Sequence, residues 1–265
     1  TTWLGPHAPY TCPPDFLKLA AKKAAQENLG IHIHVSETEN QVVLSLKEHG
    51  ITPVQMLEET GVLDVPTILA HCLHPREEDF PILAKADTGI PQAPRTYMKH
   101  GDGLAPVLRY RELGIPVGLA TDGAASNNAM DLMEQMRLLA MFVKYEAKDP
   151  TLMPMDEVVD IAFRGSAKVF RHEGRLGEIK AGMLADIALI RQDGLHMAPK
   201  SNPLSALIYC ARASDVDTVL CDGKVLMRGR KLLTIDKEEV KREVQSRLGR
   251  LSQRVPNNRI AFYPT

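Results

Sequence analysis

The side chains best suited to chemistry fall at the ends of short apolar runs. In Ile31-His32-Ile33-His34-Val35-Ser36-Glu37, strict alternation places His32, His34 and Ser36 on one face of a strand, with Glu37 at its tip. His71 closes the run Thr67 to Ala70, and Asp122 follows Val117 to Thr121 in the same way. A His-x-His pair on a strand suits a metal ion, although either histidine serves equally well as a hydrogen-bonded core residue. Asp122 before Gly123 also suits a turn or a helix cap. The joint pattern shifts the balance, because His34, Glu37, His71 and Asp122 all stand at strand ends. Where parallel strands end at one mouth, imidazole and carboxylate suit a zinc-like ion, and a second carboxylate can move protons.

Other candidates have plainer readings. His7, in Gly5-Pro6-His7-Ala8-Pro9-Tyr10, is either a site residue after a short strand, Thr2 to Leu4, or a loop histidine. Ser126, Asn127 and Asn128 are expected to cap a helix beginning near Ala129. Cys72 beside His71 lacks an orienting third group and is expected to pack inward. Arg95, Lys99 and His100 suit an anionic group or simple exposure. Met130, Met133, Met136 and Met141 read as core filling, and the charges of Lys237 to Arg250 as a solvated helix face.

These residues need a scaffold of alternating strands and helices. Helical spacing runs from Phe16 to Leu29 with Gly30 placed to stop it, then Ile31 to Ser36 reads as a strand. Helices follow over Glu39 to Glu48, Pro53 to Thr60 and Glu77 to Ala86, with strands at Thr67 to Ala70 and near Gly89. Next come a helix from Leu104 to Leu113, a strand from Pro116 to Ala120, a long helix from Ala129 to Lys144, and one or two helices between Pro154 and Val169. Such alternation predicts parallel βα units. From Gly177 to Lys231 the texture becomes all-β, with a hairpin signal at Asp222-Gly223, before a charged helix from Asp236 to about Leu251.

Composition narrows the function classes. The 265 residues carry 32 Lys+Arg against 33 Asp+Glu, a formal net charge of -1, so there is no basic surplus to hold nucleic acid. No apolar run approaches the roughly 20 residues that span a bilayer, and the opening residues lack the features of a signal peptide, so a cytoplasmic protein is expected. The 4 cysteines form no C-x-x-C pair, which argues against a disulfide framework or a cysteine zinc site. Roughly 170 residues have βα texture, short of the about 250 of a closed eightfold barrel.

Four ordered motifs carry a resemblance: Gly5-Pro6-His7-Ala8-Pro9-Tyr10-Thr11-Cys12, Ile31-His32-Ile33-His34-Val35-Ser36-Glu37-Thr38, Leu69-Ala70-His71-Cys72, and Thr121-Asp122-Gly123-Ala124-Ala125-Ser126-Asn127-Asn128. Together they resemble the amidohydrolase superfamily, in its branch of 5'-methylthioadenosine/S-adenosylhomocysteine deaminases and triazine chlorohydrolases. Gly177 to Ile190 is similar to that family's return into a second, β-sandwich domain. The resemblance implies an α/β fold: the late strands of a (β/α)8 TIM-type metal-dependent hydrolase barrel over 1–175, a β-sandwich segment over 176–235, and a C-terminal helix and tail over 236–265. It makes His34 a metal ligand, Glu37 the proton shuttle and His71 the histidine beside the metal-bound water. Asp122 becomes metal ligand and general base, and His7 a substrate contact. His32 has no metal role in that pattern, which displaces the His-x-His reading.

The implied cofactor is one divalent metal ion, zinc before iron, manganese or nickel. The implied function is hydrolytic deamination of an aminated heterocycle, most of all an adenosine-type one, within nucleoside metabolism. The alternatives are hydrolysis of another amino- or chloro-substituted ring of guanine, pterin or triazine type, or an inactive chain serving as an interaction module. The expected partners are a small heterocyclic substrate and water, with no nucleic acid and no membrane, in a homo-oligomer. The family's early His-x-His strand is not in these residues. The sequence is therefore expected to be the C-terminal part of a longer protein whose upstream segment completes the barrel and the metal site, and by itself to associate and lack activity. A further departure bears on the substrate: relatives carry Asn-Pro-x-Ser-Asn-x-Lys-Leu where this sequence has Ala93-Pro94-Arg95-Thr96-Tyr97-Met98-Lys99-His100.

Overall fold

A computed structural model describes residues 2–199 and 201–254. Contacts divide the chain into two units, Thr1–Met183 with Gln192–Asp215, and Leu184–Arg191 with Val216–Thr265. The first unit is built on five parallel strands in sequential order: β1 (Trp3–Leu4), β2 (Gly30–Val35), β3 (Thr67–His71), β4 (Thr88–Gln92) and β5 (Val117–Leu119). Parallel strands need crossovers, and helices supply them. These are α1 (Pro14–Glu27), α2 (Glu39–His49), α3 (Pro53–Glu59), α4 (Asp79–Lys85), α5 (Pro94–His100) and α6 (Val107–Glu112). After β5 come α7 (Ala124–Asn127), α8 (Leu132–Ala147), α9 (Met155–Asp160), a π-helical turn over Ile161–Gly165, α10 (Ser166–Val169) and α11 (Pro203–Ser205).

Local chemistry sets the element ends. Thr38 with Gln41 caps α2, and Thr52 with Gln55 caps α3, each by a reciprocal side-chain and backbone pair. α1 ends not at Gly30 but at Asn28, whose φ of 53° is a left-handed cap, and Gly30 instead opens β2. α8 begins later than the spacing predicts. Its cap is Asp131, which accepts from the Met133 and Glu134 amides, while Asn127 accepts from Ala129 and Met130 in the preceding turn. Only part of the methionine stripe is core, since Met136 is buried but Met130 and Met141 are exposed.

The core fills the space between sheet and helices with Leu17, Ile31, Ile33, Leu57, Leu69, Ile90 and Leu139. Close approach on one side depends on two strand glycines. A Cβ at Gly89 would stand 2.9 Å from the Val169 Cα, and one at Gly118 2.8 Å from the Ser166 Cα, so α10 can lie directly on β4 and β5. There the Ser166 hydroxyl accepts from the Leu119 amide at 2.9 Å.

The second unit holds an antiparallel sheet of β6 (Ile187–Ile190), β7 (Val216–Cys221), β8 (Lys224–Arg228) and β9 (Lys231–Leu232), followed by α12 (Lys237–Arg254). The Asp222-Gly223 hairpin forms between β7 and β8, with φ of 48° and 74° at its two central residues, as a primed turn requires. Among the described residues no helix is long and apolar enough to cross a membrane.

Candidate active site

The register of the parallel strands brings the candidate residues to one end of the sheet. His34 pairs with Ala70 and Val35 with His71, so the two histidines are offset by one residue on neighbouring strands. Their rings stack, with centroids 4.9 Å apart and planes at 18°. His7 meets His34 edge-on at 5.2 Å, and Tyr97 meets His71 edge-on at 5.7 Å. With Tyr10 against His7 at 5.5 Å, a row of five rings runs Tyr10, His7, His34, His71, Tyr97. The His7 ring is fixed by its Nδ1 and the Thr11 hydroxyl at 2.8 Å, and the His7 carbonyl accepts from the His34 amide at 3.0 Å.

Two carboxylates flank the row. Glu37 Oε1 lies 3.8 Å from His71 Nε2. Asp122 shares with His32, His34, His71 and Tyr97 the lining of a cavity of about 480 Å³. A second cavity, of about 460 Å³, lies beside the Pro9–Pro14 loop and touches only Tyr10 of the ring row. Burial holds His34 and His71 below the ordinary imidazole pKa, while the charges of Glu37 and Asp122 pull the other way. His32 is exposed on the same strand face, and the surrounding protein with His34 lowers its pKa too.

The backbone around these residues is strained and held. Ser36, His71, Cys72 and Asp122 take φ of 45°, 72°, 46° and 65°, a region that L residues avoid at a cost of about 1–3 kcal/mol each unless the surroundings impose it. The surroundings do so here. The Cys72 amide donates to Val35 O at 3.0 Å, and the Leu73 and His74 amides donate to Ser36 O. Gln92 Nε2 donates to His71 O at 2.9 Å, and the buried Tyr110 hydroxyl donates to Cys72 O at 2.6 Å. Cys72 itself packs inward as expected, with burial pushing its thiol up to about 12.

Several buried polar atoms in this region have no hydrogen-bond partner among the described residues: His34 Nδ1, His71 Nδ1, Ser36 Oγ and the Tyr97 hydroxyl. Buried polar groups are ordinarily satisfied, and the His34, His71 and Tyr97 orphans share the lining of the cavity of about 480 Å³, which suits it to a ligand or ion, while Ser36 lines the other cavity. His34 and Asp122 offer the imidazole and carboxylate that a divalent cation accepts. Among the described residues no group of three His, Cys, Asp or Glu side chains could hold an ion by itself.

The family model described as "Amidohydrolase family" matches residues 1–226. The chain belongs to the amidohydrolase family. The chain is 42% identical over 252 residues to the 5-methylthioadenosine/S-adenosylhomocysteine deaminase of Desulforudis audaxviator, covering 95% of the chain and 59% of that relative. It is 41% identical to the enzyme of the same name from Pelotomaculum thermopropionicum, covering 96% of the chain and 58% of that relative. Among solved structures, it resembles an adenosine deaminase from Xanthomonas campestris with bound zinc, at a TM-score of 0.91 and 26% identity, over 96% of the chain and 58% of the other. It also resembles the atrazine chlorohydrolase TrzN from Arthrobacter aurescens TC1 complexed with zinc, at 0.81 and 29%, over 92% and 54%. The chain thus spans a little under three fifths of the relatives it matches; its parallel sheet is part of an amidohydrolase (β/α) barrel, and its second unit holds an antiparallel sheet.

Sequence spacing did not single out Tyr97 or Gln92. Tyr97 lies within the stretch that departs from the family pattern, which was a signal that the pocket wall differs here. Arg95 and Lys99, read as anion-binding or exposed, bond protein oxygens, with Lys99 exposed and Arg95 half-buried.

Proposed function

We propose that this chain supplies the late-strand half of the active site of a hydrolytic deaminase, acting on an aminated heterocycle of adenosine type such as 5'-methylthioadenosine or S-adenosylhomocysteine. The observation that carries the reading is the stacked His34 and His71 pair, with unpartnered ring nitrogens, Glu37 3.8 Å from His71 and Asp122 lining the same cavity. Identity above 40% to proteins bearing the deaminase name supports the substrate class.

His34 and Asp122 would hold the metal, zinc by the likeness to zinc-bound relatives. The ion would act as a Lewis acid and make water a stronger acid near neutral pH. Asp122 takes a proton from water through a carboxylate oxygen. The oxygen adds to the ring carbon that bears the amino group, and Glu37 delivers a proton to the adjacent ring nitrogen. His71, kept neutral by burial, donates its one N–H toward the charge that develops on the oxygen added to that carbon. The proton held by Asp122 passes to the amino group, the hydroxyl proton returns to Glu37, and collapse expels ammonia and leaves a carbonyl. His7, between Tyr10 and His34 in the ring row, contacts the substrate.

A second reading, hydrolysis of a chlorinated or aminated triazine, draws on the TrzN likeness and on Tyr97 in the pocket wall. The deciding experiment presents the full-length, zinc-loaded protein with 5'-methylthioadenosine, S-adenosylhomocysteine, adenosine and atrazine, and measures ammonia and chloride release. Ammonia from the nucleosides is expected. Chloride from atrazine with none from the nucleosides would reverse the ranking, and no product from any of the four would remove the enzymatic reading.

A further inference from the structure

Two cations on α5 grip the segment that follows Asp122. Arg95 and Lys99 stand four residues apart and so share one face of the helix. Lys99 Nζ donates to Ser126 O at 2.9 Å, Ala125 O at 3.2 Å and Asn128 Oδ1 at 2.8 Å. Arg95 Nε donates to Asn127 O at 2.8 Å, its guanidinium pairs with Glu134, and its backbone amide donates to Gln135 Oε1 at 3.1 Å. The last carbonyls of α7 are therefore taken by positive charge. These oxygens come from the protein itself, so the pair does not form a vacant anion site.

The grip reaches Asp122 from both flanks. On the upstream side, the Thr96 hydroxyl reaches Thr121 O at 3.5 Å, and Ala120 donates its amide to Gln92 O at 2.8 Å, just before α5. On the downstream side, the Ser126 and Asn127 amides donate to Gly123 O, and the Gly123 amide donates to Asp122 Oδ1 at 2.6 Å. Asp122 holds a left-handed φ of 65° between these anchors. A carboxylate on such a backbone points where its neighbours make it point.

We infer that Arg95 and Lys99 are positioning residues for Asp122. They fix the short helix after it, and through the Gly123 turn they fix the direction of the carboxylate into the cavity. The inference rests on the reading of Asp122 as the reacting carboxylate, and it adds two residues that touch neither substrate nor metal. Misplacement of a reacting group by about 1 Å costs roughly 100-fold in rate, which sets the scale of the expected effect.

The test uses the full-length zinc-loaded protein with 5'-methylthioadenosine as probe. Lys99→Met and Arg95→Met are each expected to lower kcat roughly 10- to 100-fold with KM within about threefold, the pattern of a lost transition-state alignment. Lys99→Arg keeps a cation that reaches the same carbonyls and should recover most of the loss. Independently of activity, hydrogen exchange on protein without metal or substrate should show faster exchange at the amides of residues 123–128 in Lys99→Met, with α1 unchanged. Asp122→Asn separates the two levels. If it retains wild-type turnover, Asp122 is not the reacting carboxylate and the inference falls with that reading. If it is inactive while both methionine variants keep wild-type kcat, the positioning role alone is overturned. Unchanged exchange at 123–128, or a loss matched fully by loss of folded protein with no rescue by Lys99→Arg, overturns it as well.

Discussion

Replacing Glu37 by glutamine keeps the shape of the side chain and removes its charge, which makes it the sharpest probe of the site. Glu37 Oε1 is 3.8 Å from His71 Nε2, with His71 almost wholly enclosed and about a quarter of the Glu37 side chain accessible. Glutamine in that place can neither deliver a proton to the ring nitrogen nor take one back, so a loss in kcat of about 10²- to 10³-fold is expected, within the span of general acid-base catalysis. The loop should survive the change, because the Glu37 amide is held by Gln41 Oε1 at 3.0 Å through the backbone. The assay is ammonia release by full-length protein, alongside metal content by elemental analysis and a thermal melt. Metal content should match wild type. Turnover within about threefold of wild type would refute the proton-shuttle role, and loss of the metal would make Glu37 a ligand instead.

Two further outcomes test the scaffold under the site. Tyr110→Phe removes the hydroxyl that donates to Cys72 O at 2.6 Å in a fully buried setting, leaving that carbonyl without its partner. A destabilisation of about 1–3 kcal/mol in urea unfolding is expected, and an unchanged midpoint would show that the strained His71-Cys72 backbone needs no such anchor. Cys72, enclosed and with its thiol pushed up to about 12, should stay unlabelled by thiol reagents at mildly alkaline pH while the exposed Cys221 reacts. Labelling of Cys72 in the native protein would contradict the burial that shields it.

Much of the site was legible because parallel strands place chemistry at their ends. The runs Thr67–Ala70 and Val117–Leu119 are largely apolar because both faces of such a strand meet protein, so His71 and Asp122 just beyond them stand out. His34 and Glu37 are legible differently, from the alternation that sets His32 and His34 on one strand face and Glu37 at the tip. Element ends were less legible where two capping residues competed. Asn28 lies two residues before Gly30 and takes the left-handed cap itself, and Asp131 caps α8 although Ser126, Asn127 and Asn128 come first. At α1 the left-handed backbone of Asn28, whose amide donates to the Ala24 and Ala25 carbonyls, decided the boundary, and at α8 the Asp131 side chain did; residue type alone does not rank such neighbours.

The least legible feature is the support for Asp122, and the reason is distance along the chain. Lys99 meets its oxygens 26 to 29 residues away, and Arg95 meets Asn127 32 residues away and Glu134 39 away. No periodicity within a helix encodes a partner on another element, so both cations read as surface charges. Tyr97 was hidden by the same limit: its ring packs on His71 and its hydroxyl is buried without a partner among the described residues, yet in sequence it is one aromatic residue in a short helix. The sheet makes these side chains neighbours. β4 and β5 run in register, with Gln92 opposite Leu119, so the helix that leaves β4 must pass beside the loop that leaves β5. That adjacency turns an i, i+4 pair of cations into a brace for the carboxylate on the next strand. It also implies that substitutions in Ala93–His100 act on this site in two ways: Tyr97 shapes the cavity wall, and Arg95 and Lys99 set the orientation of Asp122.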